Sequence, residues 1–431
     1  MAPFSARRLA WMAGLAFCIL LPTGCGSQER TVRELVAESA DLPGARTSPN
    51  AALRAEIGRI VAEGGTPQQL VATLPPDDQN VAAALVKVFD RTLLPSILST
   101  SDEFFPAERF EFDAVELRRA IAFRDAHRRQ LDAVIAALAR PACDFGVEFD
   151  KGYFFEERFV DEVAVACRLL AFDAAAEMDE RGPAAALRPV GLLFRLIGHL
   201  DDAQLLSARA TAASLRYEAL RVLEAVAQHR QTTSDDLHAL HRIVMQQLES
   251  WPSDADALFG ERALVLHTYE AIRCGLLAWV LTPDEKRTFR QERILEELDG
   301  VLHKTADTDE LYYLRAIRAQ IAACDRPYIE RMDTFVAQEE SLRAKRSKPD
   351  FPFAAARLFL PDLEDFQNKF AVDRARCEAW ALALAAAADL PSPPFTESPR
   401  SGVAYQVTRE SQRVVVAMGE PDGWEAVVPL R

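Results

Sequence analysis

Three acids crowd one short stretch of the 431-residue chain: Asp144, Glu148 and Asp150, set among Phe145, Phe149, Tyr153, Phe154 and Phe155. Carboxylates so close together could act as an acid/base pair, and hard cations coordinate several carboxylate oxygens. No calcium-loop register runs through them, so a connector whose aromatics plug the end of a helical body suits them better. Glu261 and Arg262 interrupt an otherwise apolar helical pattern. They could line a polar pocket where burial shifts a carboxyl pKa, or anchor one helix to its neighbour. His238 and His241 stand three apart on one helical face, with Asp235 nearby. Two histidines could contribute to a metal site but do not complete one.

Other chemistry leaves little trace. The chain contains no HExxH, GxSxG, phosphate-loop, GxGxxG or CxxC pattern, and no Glu-x-x-His of the kind that builds a di-iron bundle. No cofactor is implied. The formal net charge of -15 makes a phosphate backbone an unsuitable partner, which argues against nucleic acid.

The elements that must position these residues read as helices. In Val163, Cys167, Leu170, Ala174 and Met178 the apolar positions recur at three- and four-residue spacing, with charged residues between them. Gly182-Pro183 is a stop-and-restart signal, and Thr233-Ser234-Asp235-Asp236 supplies a helix start. Asp201-Asp202 before a long Ala/Leu run reads the same way. Residues 113–140 form the longest uninterrupted helical pattern. Helix, short turn, helix is the grammar of hairpins, so the expected fold is mainly all-α: antiparallel helical hairpins packed as a repeat-like array or bundle. Residues 50–389 form this helical body, with one helix starting at Ser253-Asp254 and running to Val280, and another starting at Asp307. Residues 390–431 change character: a proline-rich crossing precedes strands at 403–407, 413–417 and 424–428, a sheet of two or three strands that must pack on the helices.

At the N-terminus, Arg7-Arg8, a short apolar run and Leu21-Pro-Thr-Gly-Cys25 form an export signal over residues 1–24. The Thr-Gly-Cys ending resembles the lipobox of bacterial lipoproteins. That resemblance implies acylation of Cys25, a tether over residues 25–49 and attachment to a membrane through lipid. Gly26 after the cysteine implies the outer membrane, facing the periplasm. Of the remaining cysteines, Cys143, Cys167, Cys274, Cys324 and Cys377, at most one pair is expected to form a disulfide. Cys167, Cys274 and Cys377 suit buried apolar faces.

A wider pattern runs from about residue 113 to 423: Gly182, Asp201-Asp202-Ala-Gln-Leu-Leu, Gly260-Glu-Arg-Ala263, Leu360-Pro-Asp-Leu363, Pro394-Phe-Thr396 and Gly419-Glu-Pro-Asp-Gly423 in order. The chain resembles a group of uncharacterised exported helical proteins from bacteria, of helical-hairpin, repeat-like build. Their last helix and hairpin are similar in shape to pilin-like secretion proteins. The resemblance implies no activity and no catalytic residue. Two functions follow from the residues: a lipid-anchored binding or scaffold module for an envelope protein or peptide, using grooves between stacked hairpins, and an envelope hydrolase using acids near 144–157 against the helical body.

Overall fold

In the computed structural model, residues 34–89, 114–155, 157–276, 294–348, 350–419 and 424–430 are described, with Leu94, Ile97 and Arg287. The mainly helical fold with a small C-terminal sheet is observed. Short helices α1 (Pro43–Thr47), α2 (Ala51–Ala62), α3 (Pro67–Leu70) and α4 (Val81–Val88) lead to α5 (Ala114–Ala126) and α6 (Arg128–Ala137). After a 3-10 turn (Phe149–Phe154) come the long helices α7 (Arg158–Arg181), α8 (Pro183–Asp201), α9 (Leu206–Gln228), α10 (Ser234–Glu249) and α11 (Asp254–Arg273). Helices α12 (Ile294–Ile321), α13 (Tyr328–Lys345) and α14 (Leu363–Ala387) complete the body, with a π turn at Ala355–Phe359.

Helices α7 and α8 form a tight antiparallel hairpin because Gly182 alone separates them, at a φ of 92° that favours glycine, with Pro183 opening α8. Thr233 opens α10 with a capping box to Asp236. Asp201-Asp202 does not start a helix as the sequence suggests. Asp201 ends α8, and its carboxylate turns inward to arginines of α9. The 113–140 pattern splits at His127, whose ψ of 24° leaves the helical region while its ring lies 4.6 Å from that of Phe123. Helix α11 ends at Arg273 rather than Val280, and Cys274 caps it in an exposed position, not a buried one. Asp307 lies inside α12, not at its start, with its carboxylate on Arg273 at 2.9 Å.

The sheet has the order β1-β2-β3, all antiparallel: β1 (Gln406–Arg409), β2 (Arg413–Ala417) and β3 (Glu425–Pro429). Val414 pairs with Val428 and Val416 with Ala426, and these four face inward on α14 and α9. That is the alternation expected of a sheet with one wet face. The proline-rich crossing also has a structural task. The carbonyls of Pro399 and Arg400 accept the N–H groups of Tyr328 and Ile329, orphan donors at the start of α13.

Two apolar clusters form the core. One gathers α6 to α10, the second half of α14 and the sheet; the other gathers α1, α2, α11 to α13 and the first half of α14. On α14, Phe370 and Ala371 belong to one cluster and Ala375 and Cys377 to the other.

Candidate functional site

Between the two clusters lies a buried seam of charge. Arg216 of α9 is fully buried and bridges Asp201 at the end of α8 to Asp373 of α14. Arg209, two turns earlier, pairs with Asp201 at 2.6 Å and lies within 3.9 Å of Asp254 at the start of α11. Asp254 accepts from Arg331 of α13 at 2.8 Å, and Arg331 also donates to the carbonyls of Cys324 and Arg326. The chain of contacts continues through Gln367, Gln320 and Gln338. Trp251 packs under both arginines, its ring 4.8 Å from the Arg209 guanidinium and 4.5 Å from that of Arg216.

Burial dominates the electrostatics. It pushes the Asp373 carboxyl up to about 6, against the pull of Arg216. Burial also opposes the charge on Arg216, yet Asp201 and Asp373 together hold its guanidinium above the usual range. The Cys377 thiol beside them is pushed far up by burial and is an inert hydrophobe.

A second ionic cluster joins α11 to α12. Arg273 contacts Glu270, Asp307 and Glu310, and burial pushes Glu310 up to about 7 with Arg273 opposing. Glu270 accepts the N–H groups of Gly44 and Ala45 at 2.8 Å each. Asp309 accepts those of Ala354 and Ala355 and the Tyr269 hydroxyl. Both carboxylates thus satisfy the amides of distant segments.

The acids singled out from the sequence are placed differently. Asp144 shapes a turn: its Oδ1 accepts from Gly146 N at 2.8 Å, and its backbone is clamped by the side chain of Asn80. Glu148 is exposed and paired with Lys151 at 2.6 Å. Asp150 lies beside the buried His267 of α11, whose pKa burial lowers. Glu261 is buried on α11 and accepts the Tyr153 hydroxyl, so the aromatic segment does meet the helical body there. Its neighbour Arg262 reaches Glu63 at 3.5 Å, anchoring α11 to the end of α2. Asp144, Glu148, Asp150 and Glu261 therefore have separate partners. Gly260, beside Glu261, admits the carbonyl of Gln204, which would lie 1.7 Å from any added Cβ.

His238 contacts the carbonyl of Ala388 at 3.1 Å, while the Nε2 atom of His241 is buried without a hydrogen-bond partner. Among the described residues no group of three or more His, Cys, Asp or Glu is placed to hold a metal ion. Cys143, Cys167, Cys274, Cys324 and Cys377 are all free thiols. Cys25 and residues 1–24, where an export signal is expected, lie outside the described residues.

Sequence reasoning missed Arg209, Arg216 and Asp373. The signal was present: arginines seven apart on an Ala/Leu helix and an aspartate between Phe370-Ala371-Val372 and Ala375 in another, the anomaly that drew notice at Glu261-Arg262. It also missed Lys369 of α14, which donates to Ser214 of α9 at 2.6 Å and which burial pushes down to about 8. Ser214 directs its own proton to the Ala210 carbonyl, so the pair ties α9 to α14 with the lysine as donor.

No family model, no curated protein and no solved structure matches the chain.

Proposed function

We propose that the protein is a lipid-anchored envelope protein, held through an acylated Cys25, whose helical body is a non-catalytic binding or scaffold module for a protein or peptide partner. The observation supporting this is the pairing of the interior charges with one another. Arg209, Arg216, Arg273 and Arg331 are each engaged with carboxylates on other helices, so the polar interior holds helices in place. Such a body presents fixed surfaces to a partner. Strand β1 is one of them: it is an edge strand, exposed at all of its residues, and extended peptides add to such edges. Among the described residues no helix is long and apolar enough to cross a membrane. The lipobox residues are the support for an anchor.

An envelope hydrolase is the second reading, supported by the contact of Tyr153 with Glu261 beneath the acidic segment. Membrane fractionation with intact mass, on the wild type and Cys25→Ala, tests the anchor: an acylated, sedimenting chain is expected, lost to the soluble fraction in the variant. Crosslinking in native envelopes then tests the module, with adducts mapping to the β1 edge expected. Ester or peptide hydrolysis by the purified protein that disappears in Glu261→Gln would overturn the scaffold reading in favour of the hydrolase.

A further inference from the structure

Residues 71–74, directly after α3, are exposed in succession, Val71 at 44% and Leu74 at 54%. The stretch Val71-Ala-Thr-Leu-Pro-Pro76 carries no charged side chain, in a chain whose net charge is -15. Val71 leaves α3 with extended dihedrals, φ -66° and ψ 112°, so the loop stands off the helix. Leu74 leans on Gly146, where an added Cβ would lie 3.3 Å from its Cδ2 atom, yet half of it remains in water. Apolar area exposed in this way is a contact surface. No basic cluster flanks it among the described residues: Lys87 is paired with Asp77 and Lys151 with Glu148, so an anionic partner gains nothing here.

The loop stands beside the point where the chain enters the body. Residues 34–39 are helical, and the Val36 carbonyl lies 2.8 Å from Nε2 of His267 on α11. Gly152 of the 3-10 turn lies against Nδ1 of the same ring, with no room for a Cβ. That turn packs on α3 as well as on α11. Six residues separate Gly152 from Gly146, the contact of Leu74 (152 − 146), a span of at most roughly 22 Å. Nine separate residue 34 from Cys25 (34 − 25), a span of at most roughly 32 Å whatever their conformation. An anchor at Cys25 therefore keeps the loop within a few nanometres of the bilayer. Confinement by so short a tether raises the effective concentration of a weak contact to roughly millimolar.

We infer that the 71–76 loop is a membrane-contact site, with Val71 and Leu74 seated in the headgroup layer of the bilayer that holds Cys25. The inference rests on the lipid-anchor reading of Cys25. Pro75 and Pro76 bring no amide donors to the surface, and headgroup depth leaves water for the other N–H groups of an irregular loop. The contact turns the flank of α11 that carries the 3-10 turn toward the membrane.

Nitrobenzoxadiazole attached at Leu74→Cys tests it, in the full-length protein reconstituted into vesicles of phosphatidylethanolamine and phosphatidylglycerol. Cys274→Ala removes the exposed thiol from the background. Lipids bearing a nitroxide at headgroup depth should quench the label at least twofold, with little quenching of the same label at Val336→Cys, an exposed site on α13. Adding Val71→Asp should reverse at least half of the quenching. Because Val71 is exposed, the melting temperature should not change, so the loss cannot be mistaken for misfolding. Intact mass reports acylation in the same sample. An acylated chain whose label at position 74 is not quenched overturns the lipid contact and leaves a protein partner as the occupant, with the anchor intact. Equal quenching at positions 74 and 336, or quenching unaffected by Val71→Asp, also overturns it. An unacylated chain removes anchor and contact together, and the mass tells that failure apart from the others.

Discussion

Replacing Arg216 by methionine removes a charge from the centre of the seam while keeping a long, flexible side chain in its place. Asp201 retains Arg209 at 2.6 Å, but Asp373 loses the guanidinium in direct contact with it. Breaking a buried pair in this way costs about 3–5 kcal/mol, because the remaining charge is desolvated and uncompensated. The loss depends on pH. Asp373 already holds its proton up to about 6, and without Arg216 it holds it higher still. A carboxyl raised in the folded state favours folding at acid pH, and that contribution is lost as pH rises through the folded value. Arg216→Met should therefore be destabilised most at pH 8, by about 3–5 kcal/mol, and least at pH 5, where a neutral Asp373 leaves about 1–3 kcal/mol of lost hydrogen bonding. Asp373→Leu added to Arg216→Met removes the orphaned charge and should recover most of the loss at pH 8. Urea titration followed by tryptophan fluorescence reads this out, since Trp251 contacts both seam arginines, with circular dichroism as the check on a single transition. A loss under about 1 kcal/mol at pH 8, or a double variant no more stable than the single one, would refute the idea that the seam is held by paired charge.

Three further substitutions probe separate parts of the fold. Gly260→Ala drives a methyl into the Gln204 carbonyl and should cost about 2 kcal/mol or more, because backbone must move; a melting temperature within 1 °C of wild type by about that measure of error would contradict the close approach. Thr233→Ala removes the hydroxyl of the α10 capping box and should cost about 1 kcal/mol by urea titration; an unchanged midpoint would contradict the cap. Glu162 of α7 is buried, and burial pushes its carboxyl up to about 7 although Arg158 opposes it. Its raised pKa stabilises the fold at acid pH and that contribution is lost between roughly pH 4.5 and 7. Glu162→Gln should thus gain on the wild type as pH rises from 5 to 8, by at most about 3 kcal/mol, and parallel stability curves would exclude the effect.

Where a local signal suffices, sequence and structure agree: Gly182-Pro183 ends one helix and starts the next, and Thr233 caps α10. The strands of the tail fall within a few residues of their expected positions because β-branched runs and turn residues mark them. The failures share a cause. Asp201 and Asp307 look like helix-start residues when only neighbours in sequence are considered, since an aspartate before an apolar run is a good acceptor for orphan amides. Their actual partners, Arg209, Arg216 and Arg273, are fixed by which helices pack together. Asp373 lies 157 residues from Arg216, beyond the reach of any spacing rule. The acidic segment was prominent for the opposite reason: Asp144, Glu148 and Asp150 are dense in sequence, yet each is used separately once the chain folds.

The position of the seam also explains why charge stands where leucine would pack. Two apolar clusters meeting through Ala- and Leu-rich helices could slide past one another by a helical turn with little change in buried apolar area, because such surfaces are nearly alike from turn to turn. Paired charges are not alike from turn to turn. Arg209 and Arg216 are seven residues apart on one face of α9, and Asp201 forms ion pairs with both, which fixes α9 against the end of α8. Asp373 then fixes α14 against α9, and Asp254 with Arg331 fixes α11 against α13. A one-turn shift of α14, about 5.4 Å, would separate Asp373 from Arg216 and strand two buried charges at a cost of several kcal/mol. The apolar clusters thus supply most of the driving force, while the seam selects the register in which they meet. Arg216→Met/Asp373→Leu is the variant in which those roles come apart: stability near that of wild type with a broadened unfolding transition is the outcome this division requires.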